Sequence, residues 1–491
     1  MNVCLLNDSF PPVIDGVANT VINYAEILNK KEGVSVAVGT PRYPEADYSG
    51  YPYRVIPYSS MDTTAIVSGY RAGNPLAMSA INEIKGFAPD IIHSHCPVSS
   101  TAMARILRKE TGAPIIFTYH TKFDVDIAAA TKSKLLQKES LHALVSNISA
   151  CDEVWTVSRG AGENLRSLGY EGDYIVMNNG VDFAKGRVEE STVREVTAGY
   201  DLPEGVPVYL FVGRIMKYKG LPLILDALKA LSGQGKEFKM VFIGSGRDSD
   251  ELKATVKNCG ITLYEKNSDG ELVKTPGSGT GAVIFTGPVY DRTALRAWNC
   301  RADLFLFPST YDTNGLVVRE AAACGLASVM IDGSCAAEGI TDRRNGYIIE
   351  ETPEAMAELL SELEISDAHR VGQNAMDEIY ISWEDSVNAA YKRYSEVLQM
   401  QTDGEPDSRR RGMSDRFADA AAGLIDKLTE LTEAGKTVSD TFRENMYGMK
   451  ENFSEAEELI SGKADNVKTV LRRFEDNIRE EVTRAWNSRK R

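Results

Sequence analysis

Short apolar runs rich in Val and Ile alternate with amphipathic stretches along residues 2–400, and the alternation runs its course twice. In the first series the runs are Asn2–Asn7, Ser35–Thr40, Tyr53–Tyr58, Asp90–His95, Pro114–His120, Glu153–Ser158 and Tyr174–Asn179. In the second they are Val208–Gly213, Lys239–Gly244, Val283–Thr286, Leu304–Pro308, Ser328–Ile331 and Gly346–Ile349. Runs that are apolar throughout suit strands covered on both faces, as in a parallel sheet. The segments between them are long enough for crossover helices; Ala18–Asn29, Pro75–Lys85, Leu221–Leu231 and Val317–Ala323 carry the helical pattern. The expected fold class is therefore α/β, with two doubly wound domains. A chain of 491 residues is too long for one core. The join falls at Asn179-Gly180-Val181-Asp182, giving domains 1–182 and 183–378. The polar, Gly-rich stretch 263–281 reads as a loop or a small surface hairpin.

Composition narrows the partners. A formal net charge of −15 argues against nucleic acid, which needs a basic stripe, but leaves room for a small basic pocket. The seven cysteines form no C-x-x-C pair and are irregularly spaced. They read as small buried apolar residues in a reducing compartment, not as a disulfide framework or a zinc site. The chain opens as a strand and not as a leader, and no run reaches the length of a membrane span. The expected location is cytoplasmic, free or peripheral at the inner face of the cell membrane.

Composition shifts again near the end. Residues 401–412, with Arg409-Arg410-Arg411, read as a linker. Beyond it, 413–491 carries apolar stripes at helical spacing, such as Phe442, Met446, Met449 and Phe453, and then Val467, Leu471, Phe474 and Ile478. Two readings stay open for this tail. One is a helical hairpin or coiled coil that mediates self-association. The other is a membrane-surface helix, to which Trp486 and the closing Arg489-Lys490-Arg491 would contribute.

Four blocks carry residues suited to chemistry. Phe10–Val17 follows the first strand, and Gly16 lets a backbone N–H approach a phosphate. His120 closes a strand in Phe117-Thr118-Tyr119-His120-Thr121, where it can hydrogen-bond a sugar hydroxyl. In Gly213-Arg214-Ile215-Met216-Lys217-Tyr218-Lys219-Gly220, Arg214 and Lys219 flank a strand-to-helix turn. A diphosphate leaving group needs such paired cations and helix-end N–H groups. The block Phe307–Gly325 reads strand, loop, helix. Asp312 lies in its loop, Asn314, Gly315, Leu316 and Val317 place N–H groups at the helix start, and Glu320 follows within the helix.

Together these blocks resemble glycosyltransferase family 4, over residues 1–400. The resemblance implies the GT-B fold, two Rossmann-like domains facing a cleft, with an α-helical tail left unexplained. Its most specific parts are Gly213-Arg214…Lys219-Gly220 and the acidic pair Asp312…Glu320. The family usually has Glu where this chain has Asp312. By resemblance Gly16 approaches the donor phosphates, Arg214 and Lys219 hold the diphosphate, and Glu320 binds the ribose. Asp312 and the backbone of Asn314–Val317 contact the transferred sugar, and His120 faces it near the reacting carbon. His120, Asp312, Arg214 and Lys219 form the expected catalytic set. Tyr380-Ile381-Ser382-Trp383-Glu384 resembles the start of the family's closing helix, here 379–400, which crosses back to the first domain.

The resemblance further implies a retaining transfer that needs no protein nucleophile, no metal and no cofactor beyond the nucleotide-sugar co-substrate. Asp124-Val125-Asp126 and Asp248-Ser249-Asp250 imitate a metal motif, but such triplets arise by chance in an acidic chain. Tyr119-His120-Thr121-Lys122-Phe123 is similar to the matching stretch of bacterial diacylglycerol glucosyltransferases. Lys132, Lys134 and Lys138 follow it among Leu135, Leu136 and Leu141, as a helix that either covers the sheet or rests on an anionic membrane surface. The expected activity is transfer of glucose from UDP-glucose to a membrane lipid such as diacylglycerol. Alternatives are mannosyl or galactosyl transfer to a phosphoinositide, small-molecule or polysaccharide acceptor, a GT-B epimerase or phosphorylase, and a non-catalytic nucleotide-sugar-binding scaffold.

Overall fold

The computed structural model describes residues 1–13, 15–62, 70–130, 133–267 and 269–402. The expected linker beyond residue 402 and the tail 413–491 lie outside the described residues, as do Ile14 and Lys132. The chain forms two compact units: Met1–Thr156 with Asn164–Ile175 and the chain from Ala389 on, and Val157–Glu163 with Val176–Asn388. The sequence suggests a join at 179–182 and a return through 379–400; the division between the units also assigns Val157–Glu163 to the second and Asn164–Ile175 to the first. The helix Trp383–Thr402 begins in the second unit and continues into the first.

In the first unit the strands are β1 (Asn2–Leu6), β2 (Ser35–Pro41), β3 (Arg54–Tyr58), β4 (Ser60–Asp62), β5 (Arg71–Gly73), β6 (Ile91–Ser94), β7 (Ile115–Tyr119) and β8 (Glu153–Thr156). The short β9 (Ile175–Val176) lies where the units divide. The main sheet has the order β3-β2-β1-β6-β7-β8-β9, and β4 and β5 pair separately. Val3–Leu6 are fully buried, which is why the run reads as apolar throughout. The strand order reverses between β1 and β6, so the loops that follow these two strands diverge at the carboxyl edge.

The second unit holds β10 (Val208–Val212), β11 (Lys239–Ile243), β12 (Thr262–Lys266), β13 (Leu272–Thr275), β14 (Ala282–Gly287), β15 (Leu304–Phe307), β16 (Ser328–Ile331) and β17 (Tyr347–Ile349). Their order is β13-β12-β14-β11-β10-β15-β16-β17. Here the reversal lies between β10 and β15, again the place where ligands bind in open α/β sheets. Phe242 and Phe285 stack with centroids 5.0 Å apart, and Phe211 and Phe307 at 6.2 Å, so aromatic rings run across the sheet. The 263–281 segment does more than form a surface hairpin. Leu263 and Tyr264 are buried, and β12 joins the sheet in parallel with β14 before β13 turns back on it.

Candidate active site

The cationic half of the site is set by glycine contacts at the carboxyl ends of β10 and β11. After β10 the chain passes Gly213, at φ +150°, to Arg214 and then the tight turn Lys217–Lys219. The amides of Gly213 and Ile215 donate to the carbonyls of Ile243 and Ser245, both at 3.0 Å. A Cβ on Gly244 would strike the Gly213 carbonyl, and one on Gly246 the Ile215 carbonyl. Those two glycines therefore let the β11 loop lie flat against the Arg214 loop. They belong to none of the four blocks marked in the sequence, although Gly244-Ser245-Gly246 at a strand end is a visible signal. Gly220, at φ +78°, likewise brings the turn against Pro308, whose carbonyl a Cβ would strike. This draws the β10 and β15 loops together.

Lys219 is buried and its Nζ lies 2.5 Å from Oδ1 of Asp312. Oδ2 of Asp312 accepts from Ser309 Oγ, also at 2.5 Å. The rings of Tyr218 and Tyr311 flank the ammonium at 5.6 and 5.9 Å. Arg214 differs: it is exposed, and among the described residues it has no hydrogen bond or ion pair. Thus the structure joins Lys219 to Asp312 and leaves Arg214 facing solvent. Asp248 of the apparent metal motif accepts from the Lys217 amide at 2.7 Å and so braces this same turn.

Across the β15 loop, Gly315 at φ +55° caps the helix Leu316–Ala323. The Val318 amide already donates to the Gly315 carbonyl at 2.8 Å, whereas among the described residues the amides of Leu316 and Val317 have no acceptor and can meet an anion. Asn314 is buried, and among the described residues neither its Oδ1 nor its Nδ2 has a hydrogen-bond partner. Glu320 accepts from Arg292 at 2.6 Å. The same guanidinium reaches Asp182 at 3.4 Å and lies over the Phe183 ring at 4.5 Å. Burial pushes the Glu320 carboxyl above its ordinary range, and Arg292 pulls against that rise. No motif announced Arg292, because its partners Asp182 and Glu320 are far from it in sequence.

In the first unit Gly16 opens the helix Gly16–Asn29. Asp15 caps that helix, accepting from the amides of Val17 at 2.8 Å and Ala18 at 2.7 Å, while Tyr70 donates to its other oxygen at 2.7 Å. The N-cap carboxylate thus occupies two of the amides that an anion would seek. A Cβ on Gly16 would meet nothing within 4 Å, so packing does not explain the glycine.

His120 follows β7 and is buried, with Nε2 3.0 Å from Nδ1 of His95. The ring of His93 lies tilted against that of His95, their centroids 4.0 Å apart. His93 is held at both nitrogens, by Tyr394 Oη at 2.6 Å and by Thr118 Oγ1 at 2.7 Å. Burial drives all three imidazoles toward the neutral form: His120 falls to about 4, and His93 and His95 go well below their usual range. Of the three, only His120 lies in a block that the sequence marks; His93 and His95 fall within the strand run Asp90–His95. Asp8, which no motif marks, is partly buried just beyond β1. It caps the helix Ser99–Thr111 by accepting from the amides of Ser99 at 3.1 Å and Ser100 at 2.9 Å.

Two family descriptions match the chain: Glycosyltransferase Family 4 over residues 14–185, and Glycosyl transferases group 1 over residues 206–364. The chain belongs to glycosyltransferase family 4. As a GT-B glycosyltransferase it transfers sugar from a nucleotide sugar to an acceptor. It is 24% identical to an alpha-monoglucosyldiacylglycerol synthase of Streptococcus pneumoniae, over 66% of this chain and 70% of that one. It is 27% identical to a D-inositol 3-phosphate glycosyltransferase of Xylanimonas cellulosilytica, over 63% of this chain and 72% of that one. In fold it is similar to Anabaena HepE, solved in complex with UDP, with TM-score 0.59 and 16% identity over 81% of this glycosyltransferase and 100% of HepE. Among the described residues no helix is long and apolar enough to cross a membrane.

Proposed function

We propose that this glycosyltransferase moves glucose from UDP-glucose to a membrane lipid of the diacylglycerol type, with retention of anomeric configuration and without a metal or other cofactor. The observation that carries the donor reading is the charge arrangement between β10 and β15. Arg214 is unpaired among the described residues, and Lys219 is held by a carboxylate that a diphosphate can displace. The helix Leu316–Ala323 starts in the neighbouring loop. In this reading the arriving diphosphate takes Lys219 from Asp312. Asp312 is thereby freed to accept from a sugar hydroxyl, with the unpartnered Asn314 amide and the Leu316 and Val317 N–H groups beside it. Glu320 takes the ribose hydroxyls, Gly16 admits the donor phosphates, and His120 serves the transferred sugar. Catalysis is then positioning and neutralisation of the departing diphosphate, with no protein nucleophile.

The lipid acceptor rests on the glucosyldiacylglycerol relative and on the helix Lys134–Ser149, where Leu135 is 51% exposed between exposed Lys134 and Lys138. Peripheral attachment to the cytoplasmic membrane face and self-association through 413–491 belong to the same proposal. The test is a panel of UDP-, GDP- and ADP-sugars with mass-spectrometric readout, offered diacylglycerol vesicles and water-soluble acceptors. Glucosyl-diacylglycerol formed from UDP-glucose is the expected product. The inositol phosphate relative favours a second reading, transfer to an inositol phosphate. Product on D-inositol 3-phosphate and none on lipid would select it.

A further inference from the structure

His95 is 2% exposed and one of its two ring nitrogens is committed: Nδ1 lies 3.0 Å from Nε2 of His120. The other nitrogen, Nε2, is buried and has no hydrogen-bond partner among the described residues. One nitrogen of the close pair must donate and the other accept, which leaves two assignments for the neutral rings. If His120 donates, His95 carries its proton on Nε2, and a bare N–H is buried there. If His95 donates from Nδ1, only a lone pair is left at its Nε2. Orphaned buried N–H groups are rarer in folded proteins than under-satisfied acceptors, so the second assignment wins. The ring of His95 has little freedom to turn away. The His93 ring lies against it, tilted by 35° with centroids 4.0 Å apart, and is itself pinned by Tyr394 and Thr118, while Tyr24 sets its edge against His95 at 5.5 Å.

We propose that His95 is a positioning residue that donates its Nδ1–H to Nε2 of His120 and so holds His120 as the Nδ1–H tautomer. His120 therefore meets substrate as a neutral hydrogen-bond donor and not as a base. This rests on the reading that places His120 at the transferred sugar. A fixed N–H suits an oxygen that gains negative charge, whether a sugar hydroxyl or a phosphate oxygen.

The tautomer is read directly by long-range proton–nitrogen NMR on the full chain labelled with [15N]histidine. There are five histidines to resolve, and His120 is assigned by its loss in His120→Asn. In the native protein the His120 proton is expected on Nδ1. In His95→Phe the His120 signals should shift toward a mixture of tautomers. In His95→Asn, whose amide can replace the Nδ1–H, they should return. A proton on Nε2 of native His120 overturns the proposal, as does an unchanged His120 spectrum in His95→Phe. A second readout uses whichever nucleotide sugar the native chain consumes. His95→Phe should lower kcat by about tenfold with KM within about twofold, and His95→Asn should recover most of it. Unchanged kcat in His95→Phe overturns the role in turnover. A native chain that consumes no nucleotide sugar defeats the proposed function, and the tautomer measurement still decides the pairing of His95 and His120.

Discussion

At the carboxyl edge of the first sheet, three imidazoles are buried in contact and all are driven neutral. At the same edge of the second sheet, Lys219 and Asp312 form one ion pair and Arg292 and Glu320 another. The two units share a topology with a strand-order reversal, yet they treat charge in opposite ways. Histidine can shed its charge when water is removed, so burial settles the first edge by itself. The second edge instead sets each cation beside a carboxylate, so that each partner offsets part of the other's desolvation. Under the proposed function, substrate binding at the second edge is an exchange of partners, with the internal pair standing in for the ligand.

The largest expected effect breaks that exchange. Lys219→Ala should lower turnover by on the order of 10²-fold, about 3 kcal/mol, because under the proposed function the departing diphosphate loses its buried cation. Near-normal kcat in steady-state assays would remove Lys219 from the mechanism.

The next prediction sharpens the neutral side. His120 titrates near 4 in the folded chain against about 6.5 when unfolded. As pH falls through 6.5 the unfolded chain takes the proton first, so stability is full above that pH and declines toward 4. The loss from His120 should reach about 2 kcal/mol by pH 5, with His93 and His95 adding to it in the same direction. Denaturant unfolding at pH 7 and pH 5 measures this, and a His120→Asn protein should show a shallower dependence. Equal midpoint stability at the two pH values would show that the column is not held neutral by burial.

A smaller effect belongs to Glu320→Gln. A neutral acceptor in place of a charged one should weaken UDP binding about tenfold by titration calorimetry. Unaltered affinity would mean that Glu320 serves only Arg292. Least of all in stability, Gly16→Ala should leave the melting temperature unchanged or slightly raised, a gain below about 1 kcal/mol, since a Cβ there meets no neighbour. Its donor KM should nevertheless rise. A KM equal to the native value would show that no phosphate approaches that backbone.

How much of this was legible in the sequence depended on whether the partners were local. Strands such as β15, with every residue of Leu304–Phe307 buried, announced themselves because both faces are covered. The run Tyr174–Asn179 formed only Ile175–Val176, half-buried and exposed, since an edge position asks less of its residues. Lys219 and Asp312 were each recognisable within their motifs. Their ion pair was not, because 93 residues separate them. Arg292 lay outside any motif. The histidine column was hidden for the same reason: His93 finds Tyr394 at a separation of 301 residues, and no periodicity connects the two.

The helix Trp383–Thr402 decides where this molecule can be cut. Its second half supplies Tyr394, which stacks on Trp155 at 5.5 Å, and Arg393, which grips Glu153. An expression fragment ending at residue 182 would strip that cover from Trp155 and His93, leaving an aromatic wound open to water. A stable isolated amino-terminal half would have to carry residues 389–402 grafted back on, so the last turns before residue 402 are as much a founding part of that half as its first strand.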